Sequence, residues 1–117
     1  MTDRSDRGSA TVHALWLIAL LATVALFATA IGSVLVGQRR AAAAADLAAL
    51  AGATAVQRGS AGCEQAADIA GRNDARLVSC AVEGGILIVR VATRVRSVFE
   101  SSFELQARAR AGPVRGP

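Results

Sequence analysis

Residues 76–96 read RLVSCAVEGGILIVRVATRVR, and the spacing of their apolar side chains predicts a β-hairpin. Val78, Cys80 and Val82 alternate with Ser79, Ala81 and Glu83, a period of two that places the first three on one face of a strand. Gly84 and Gly85 supply the two-residue turn. The return strand, Ile86 to Arg96, carries Leu87, Val89, Val91, Thr93 and Val95 on one face and Arg90, Arg94 and Arg96 on the other. One face is expected in a core and the other in water. After a connector at Ser97 to Ser102, Phe103, Leu105, Ala107 and Ala109 alternate with Glu104, Gln106, Arg108 and Arg110, which predicts a third strand of the same polarity.

Upstream of the hairpin the period lengthens. Cys63, Ala66, Ala67 and Ala70 share one face of a short helix ending near Arg72, with Glu64, Asp68 and Arg72 at i,i+4 spacing and Asn73 and Asp74 closing it. Gly59, Ser60, Ala61 and Gly62 read as a loop. Before that loop, Ala41 to Val56 is dominated by the strongest helix former. Leu47, Leu50, Ala51, Thr54 and Ala55 fall at i, i+3, i+4, i+7 and i+8, a stripe expected to lie under the sheet. These elements together predict an α+β domain of a long helix, a short helix and a three-stranded antiparallel sheet.

The long helix has a second part. No charged residue occurs in the 31 positions from Gly8 to Gln38, and an apolar run of 18 or more residues is a transmembrane candidate. Its Leu, Ile, Val, Ala and Phe extend from about Ala10 to Val36, with Trp16 near the start where an interfacial aromatic would sit. No Pro or turn cluster follows, so the helix is expected to continue out of the membrane. Ala28 and Gly32, then Ser33 and Gly37, are small residues four apart that would permit close contact with another membrane helix. His13, near the head of the run, suits a snorkelling, interfacial position. The expected organisation is a cytoplasmic head at 1–9, a single membrane helix at 10–37, its extension at 38–58, a small extracytoplasmic α+β domain at 59–111 and a disordered tail at 112–117.

Composition removes several functional classes. At 117 residues with 3% aromatics, one small domain is the most the chain can hold, and a large catalytic cleft is not expected. The 27 alanines bury little area each, so a thick aromatic core is excluded. Thirteen Arg without Lys reflect coding in a GC-rich genome, and acids are interleaved with them, so nucleic-acid binding is not expected despite a net charge of +4. The Arg face of the sheet, with Arg90, Arg94, Arg96, Arg108 and Arg110, reads first as a solvated face, and secondly as a dock for acidic partners or lipid headgroups.

No nucleophile and base can be paired, because the single His13 lies in the apolar run. Two Cys and one His cannot supply the four ligands of a structural zinc site, and Gly84–Gly85 has no helix or Lys-Ser/Thr behind it to make a phosphate loop. No catalytic, cofactor or metal residue and no small-molecule substrate are expected. Cys63 and Cys80 are expected to form an intramolecular disulfide, as a pair in a small extracytoplasmic domain does, the alternative being two buried thiols in the cytosol. If bridged, the loop of 18 residues would stabilise the domain by roughly 3 kcal/mol.

Two readings of the N-terminus stand side by side. Arg4, Arg7, the apolar core and Ala28-Thr29-Ala30 fit a signal peptide cleaved after Ala30, which would release a soluble effector or adhesin. Against cleavage, Ile31, Val34, Leu35 and Val36 would leave an apolar stub. The membrane-anchor reading is preferred, although Arg4 and Arg7 before the run nearly balance Arg39 and Arg40 after it, which leaves orientation open by charge.

The order of features resembles a family. A charged head ending in Asp6-Arg7-Gly8-Ser9-Ala10-Thr11-Val12, one span, Gln38-Arg39-Arg40 and the Ala-Ala-Asp-Leu-Ala-Ala-Leu-Ala block of Ala44 to Ala51 are similar to TadE-like pilus-assembly proteins of the small actinobacterial kind. Cys63, Cys80 and the closing Ala109-Arg110-Ala111-Gly112-Pro113 are in the same style. The resemblance implies a pilin-like, non-enzymatic subunit or assembly factor of a Flp-type pilus or secretion machine, with membrane lipid and other pilus subunits as partners. It also implies a prepilin-type cut between Gly8 and Ser9. Relatives carry Glu at the fifth position after the cut, where this chain has His13.

Overall fold

The computed structural model describes residues 4–96 and 100–114, with side chains from residue 8 onward. Residues 1–3 of the expected head, 97–99 of the connector and 115–117 of the tail lie outside the described residues. The elements are α1 (Arg4–Gln57), α2 (Gly62–Arg72), β1 (Ala75–Glu83), β2 (Ile86–Arg96) and β3 (Ser102–Ala111), so the α+β expectation holds. Two compact units divide the chain, Met1–Gly32 and Ser33–Pro117. In the first unit the described residues form helix alone, and that helix begins inside the expected head, at Arg4.

The second unit holds the core. Helix α1 ends because Gly59 takes φ +78°, letting the Ser60 N–H donate to the Ala55 carbonyl at 2.8 Å and the Gly59 N–H to Val56 at 3.0 Å. This is the Schellman closure that a left-handed residue after a helix permits. Helix α2 ends in a similar way at Asp74, φ +56°, a residue type that tolerates that region. Asp68 and Arg72 pair at 3.2 Å on its exposed side. Gly84 and Gly85, at φ +58° and +81°, make the tight turn between β1 and β2.

The sheet is antiparallel in the order β1-β2-β3. Its inner face carries Leu87, Val89 and Val91, the largest fully buried side chains, with Ala109 and half-buried Leu105 and Ala107 beside them. On the outer face Arg76 of β1 reaches Glu104 of β3 at 3.1 Å, across the central strand. Ala92 stands between Arg76 and Gln106 in the register and is only 3% exposed.

Three sequence expectations are corrected. Leu47 and Leu50 are exposed, and the stripe with Ala51, Thr54 and Ala55 does not lie under the sheet. The buried face is instead Ala41, Ala44, Ala45, Ala48, Ala49, Gly52 and Ala53, because only the smallest side chains let α1 approach the sheet closely. Second, Val78 and Val82 are exposed and Val78 does not share the inward face with Cys80. A bulge between Leu77 and Ser79 inserts Val78 as an extra residue, so Leu77 opposite Val91 and Cys80 opposite Val89 both point inward. Third, Ala67 is exposed while Ala66 and Ala70 are buried, since a helix laid on a strand buries a narrower arc than the four-residue face suggests.

Candidate functional site

The described part of α1 from Gly8 to Val36 presents its large apolar residues to the surroundings, among them Leu15, Trp16, Leu21, Phe27, Ile31 and Leu35. By length and composition this helix can cross a membrane. Three of its polar side-chain atoms are closed off locally. The Thr23 hydroxyl donates to the Ala19 carbonyl at 2.8 Å, and the Thr29 hydroxyl to Leu26 at 2.9 Å. His13 Nδ1 donates to the Ser9 carbonyl at 2.7 Å. Satisfying hydroxyl and imidazole groups on the helix's own backbone lowers their cost in an apolar medium.

Gly8 and Ser9, the residues flanking the expected cut, both lie within α1 with open space beside Gly8. Ala28 is exposed, a Cβ on Gly32 would meet nothing within 4 Å, and Ser33 is half-buried. Gly37 differs from these. A Cβ there would stand 2.5 Å from Val95 Cγ2 and 3.0 Å from Leu105 Cδ1, so this small residue is used for the chain's own helix-to-sheet contact.

Cys63 and Cys80 are joined by a disulfide, with Cα atoms 5.8 Å apart. The bridge ties the start of α2 to the inward side of β1 just beyond the bulge. It lies beside the crossing of α1 and α2, where a Cβ on Gly52 would meet the Gly62 carbonyl at 2.8 Å and Leu87 Cδ2 at 2.9 Å. The sequence reading passed over this crossing and the Ala face leading to it. Their signal is the spacing of Gly37, Ala41, Ala45, Ala48 and Gly52, one small residue at almost every turn.

The displaced stripe forms an open groove with α2, in which Leu47, Leu50, Ala51 and Thr54 face Ile69, with Arg58 and Asn73 at its rim. The Thr54 hydroxyl is returned to the Leu50 carbonyl at 2.8 Å. Among the described residues, no three His, Cys, Asp or Glu side chains converge as a metal site would require.

Comparison with known proteins bears on the helix. No curated protein and no solved structure matches the chain. The model of a family described as putative Flp pilus-assembly TadE/G-like matches residues 8–55, which contain the exposed apolar run and the whole Ala-Gly face. Over that long helix the chain is similar to the TadE/G-like Flp pilus-assembly family.

Proposed function

We propose that the chain is a non-enzymatic, minor pilin-like or pseudopilin-like subunit, or an assembly factor, of a Flp-type (Tad) pilus or secretion system. In this reading residues 10–37 cross the membrane once and residues 59–111 stand on its outer side. Membrane lipid and other pilus subunits are the partners, met through the helix and the outer domain. The observation that carries it is the coincidence of the TadE/G-like match with a helix whose apolar residues from Val12 to Val36 are exposed. A helix apolar all round has a stable place in lipid or among other apolar helices.

Carbonate extraction of native-host membranes, followed by intact-mass measurement, tests this. The expected product stays with the membrane and is either uncut or begins at Ser9. A soluble product beginning at Ile31 would replace this reading by that of a secreted protein. If prepilin-type processing operates, His13→Glu should increase cutting after Gly8.

A further inference from the structure

We propose that Arg39, Arg40, Arg94 and Arg96 form a collar that seats the folded domain on anionic phospholipid headgroups where α1 leaves the membrane. The inference rests on the single-span reading and names a partner for it. Within the second unit, Gly37 abuts Val95 and Leu105, while Gly52 abuts Leu87. As residue numbers rise along α1 they therefore fall along β2. Fifteen helical residues advance about 22 Å and eight strand residues about 26 Å, so the two elements run nearly alongside one another.

Heights on the strand can then be read on the helix. Arg94 and Arg96 lie one strand residue, about 3 Å, to either side of Val95 and hence of Gly37. Arg39 and Arg40 lie about 3 and 4.5 Å beyond Gly37. All four are exposed. Their backbones share a slab about 8 Å thick, against roughly 5 to 8 Å for one headgroup layer. The exposed Val36 and Leu35 fall within the membrane-side half of the slab, about 1.5 and 3 Å before Gly37, and the exposed Val34, about 4.5 Å before it, stands just beyond Arg96.

Charge at this level favours a phosphate partner. Glu104 is taken by Arg76 at 3.1 Å. Asp74 and Glu100, both exposed, offset two of the four collar charges and leave an excess of cations. Guanidinium is the side chain best shaped to grip a phosphate with two donors. The other outer-face arginines, Arg90, Arg108 and Arg110, are displaced toward the far end of β2: Arg90 is five strand residues, about 16 Å, from Val95.

The test reconstitutes the full chain in phosphatidylcholine bilayers carrying trace spin-labelled phosphatidylcholine or spin-labelled phosphatidylglycerol. The fraction of each label motionally restricted by the protein is then measured. At low salt the chain is expected to restrict phosphatidylglycerol about fivefold more than phosphatidylcholine, the order of one juxtamembrane Arg contact. The R39Q/R40Q/R94Q/R96Q variant should bring the ratio near one, and R39Q/R40Q, which leaves the sheet untouched, should lower it part way. R90Q/R108Q/R110Q should leave it unchanged. A ratio near one for the unaltered chain, a ratio that survives loss of the collar, or a ratio lost with the distal arginines would overturn the proposal. Failure to restrict either lipid would instead overturn the single-span reading beneath it.

Discussion

Thr93 places a hydroxyl on the inner face of β2, where it is 7% exposed and its Oγ1 has no hydrogen-bond partner among the described residues. A buried group left unpaired costs about 1 to 3 kcal/mol, and Val fills nearly the same volume without that cost. Thr93→Val is therefore expected to stabilise the domain by about 1 kcal/mol. Thermal unfolding in detergent checks it, and a lower midpoint in the variant would show that the hydroxyl has a partner after all. Thr93 was legible in the sequence as an inward residue, because it keeps the period of Leu87, Val89 and Val91. Its lack of a partner was not, since satisfaction depends on what stands opposite. Ala92 is a similar case. Its burial comes from the Arg76–Glu104 pair reaching across the strand, which alternation alone would have placed in water.

At the level of elements, β2, β3 and the hairpin turn were readable because Gly84–Gly85 marks the turn and the β2–β3 register runs without a bulge, so the alternating Leu87, Val89, Val91 and Phe103, Leu105, Ala107 sets keep to one face. Strand β1 misled because alternation in the sequence runs straight through the bulge, and one inserted residue moves every following side chain to the other face. Helix α1 misled for a different reason. In so Ala-rich a segment the i, i+3, i+4 period is satisfied by several faces at once, and side-chain size selects the Leu47–Leu50 face as the buried one. Close approach to a sheet selects the opposite property. Leu50→Ser should change stability by no more than about 0.5 kcal/mol, while Ala48→Leu, which adds three carbons to a filled contact, should cost about 1 to 3 kcal/mol. Protease resistance of the two variants across a denaturant series compares them directly. Equal damage would return the Leu stripe to the core. The collar was likewise out of reach of the sequence, because its arginines come from segments more than 50 residues apart and meet only through the alignment of α1 with β2.

For the molecule as a whole, the disulfide joins α2 to β1 in a domain whose buried helix face is nearly all Ala and Gly. Closing a loop of that length constrains the unfolded chain by about 3 kcal/mol, a large share of the stability available to so small a core. Reduction, or Cys63→Ser with Cys80→Ser, should lower stability by about that amount, read as a shift in the denaturant midpoint with and without reductant. An unshifted midpoint would mean the bridge does not form in the native chain. Alkylation of intact cells without reductant gives the matching compartment test, since two labelled thiols would place the domain in the cytosol. The bridge also fixes how the chain answers tension. If load were applied between α1 and β3, force would pass from Cys63 to Cys80 through sulfur, and the 17 residue steps between them would stay slack. At up to about 3.5 Å per residue, that withholds on the order of 60 Å of contour from extension while leaving only the 5.8 Å between the two Cα atoms in the load path. Reductant would return the withheld length as one added step in a single-molecule pull.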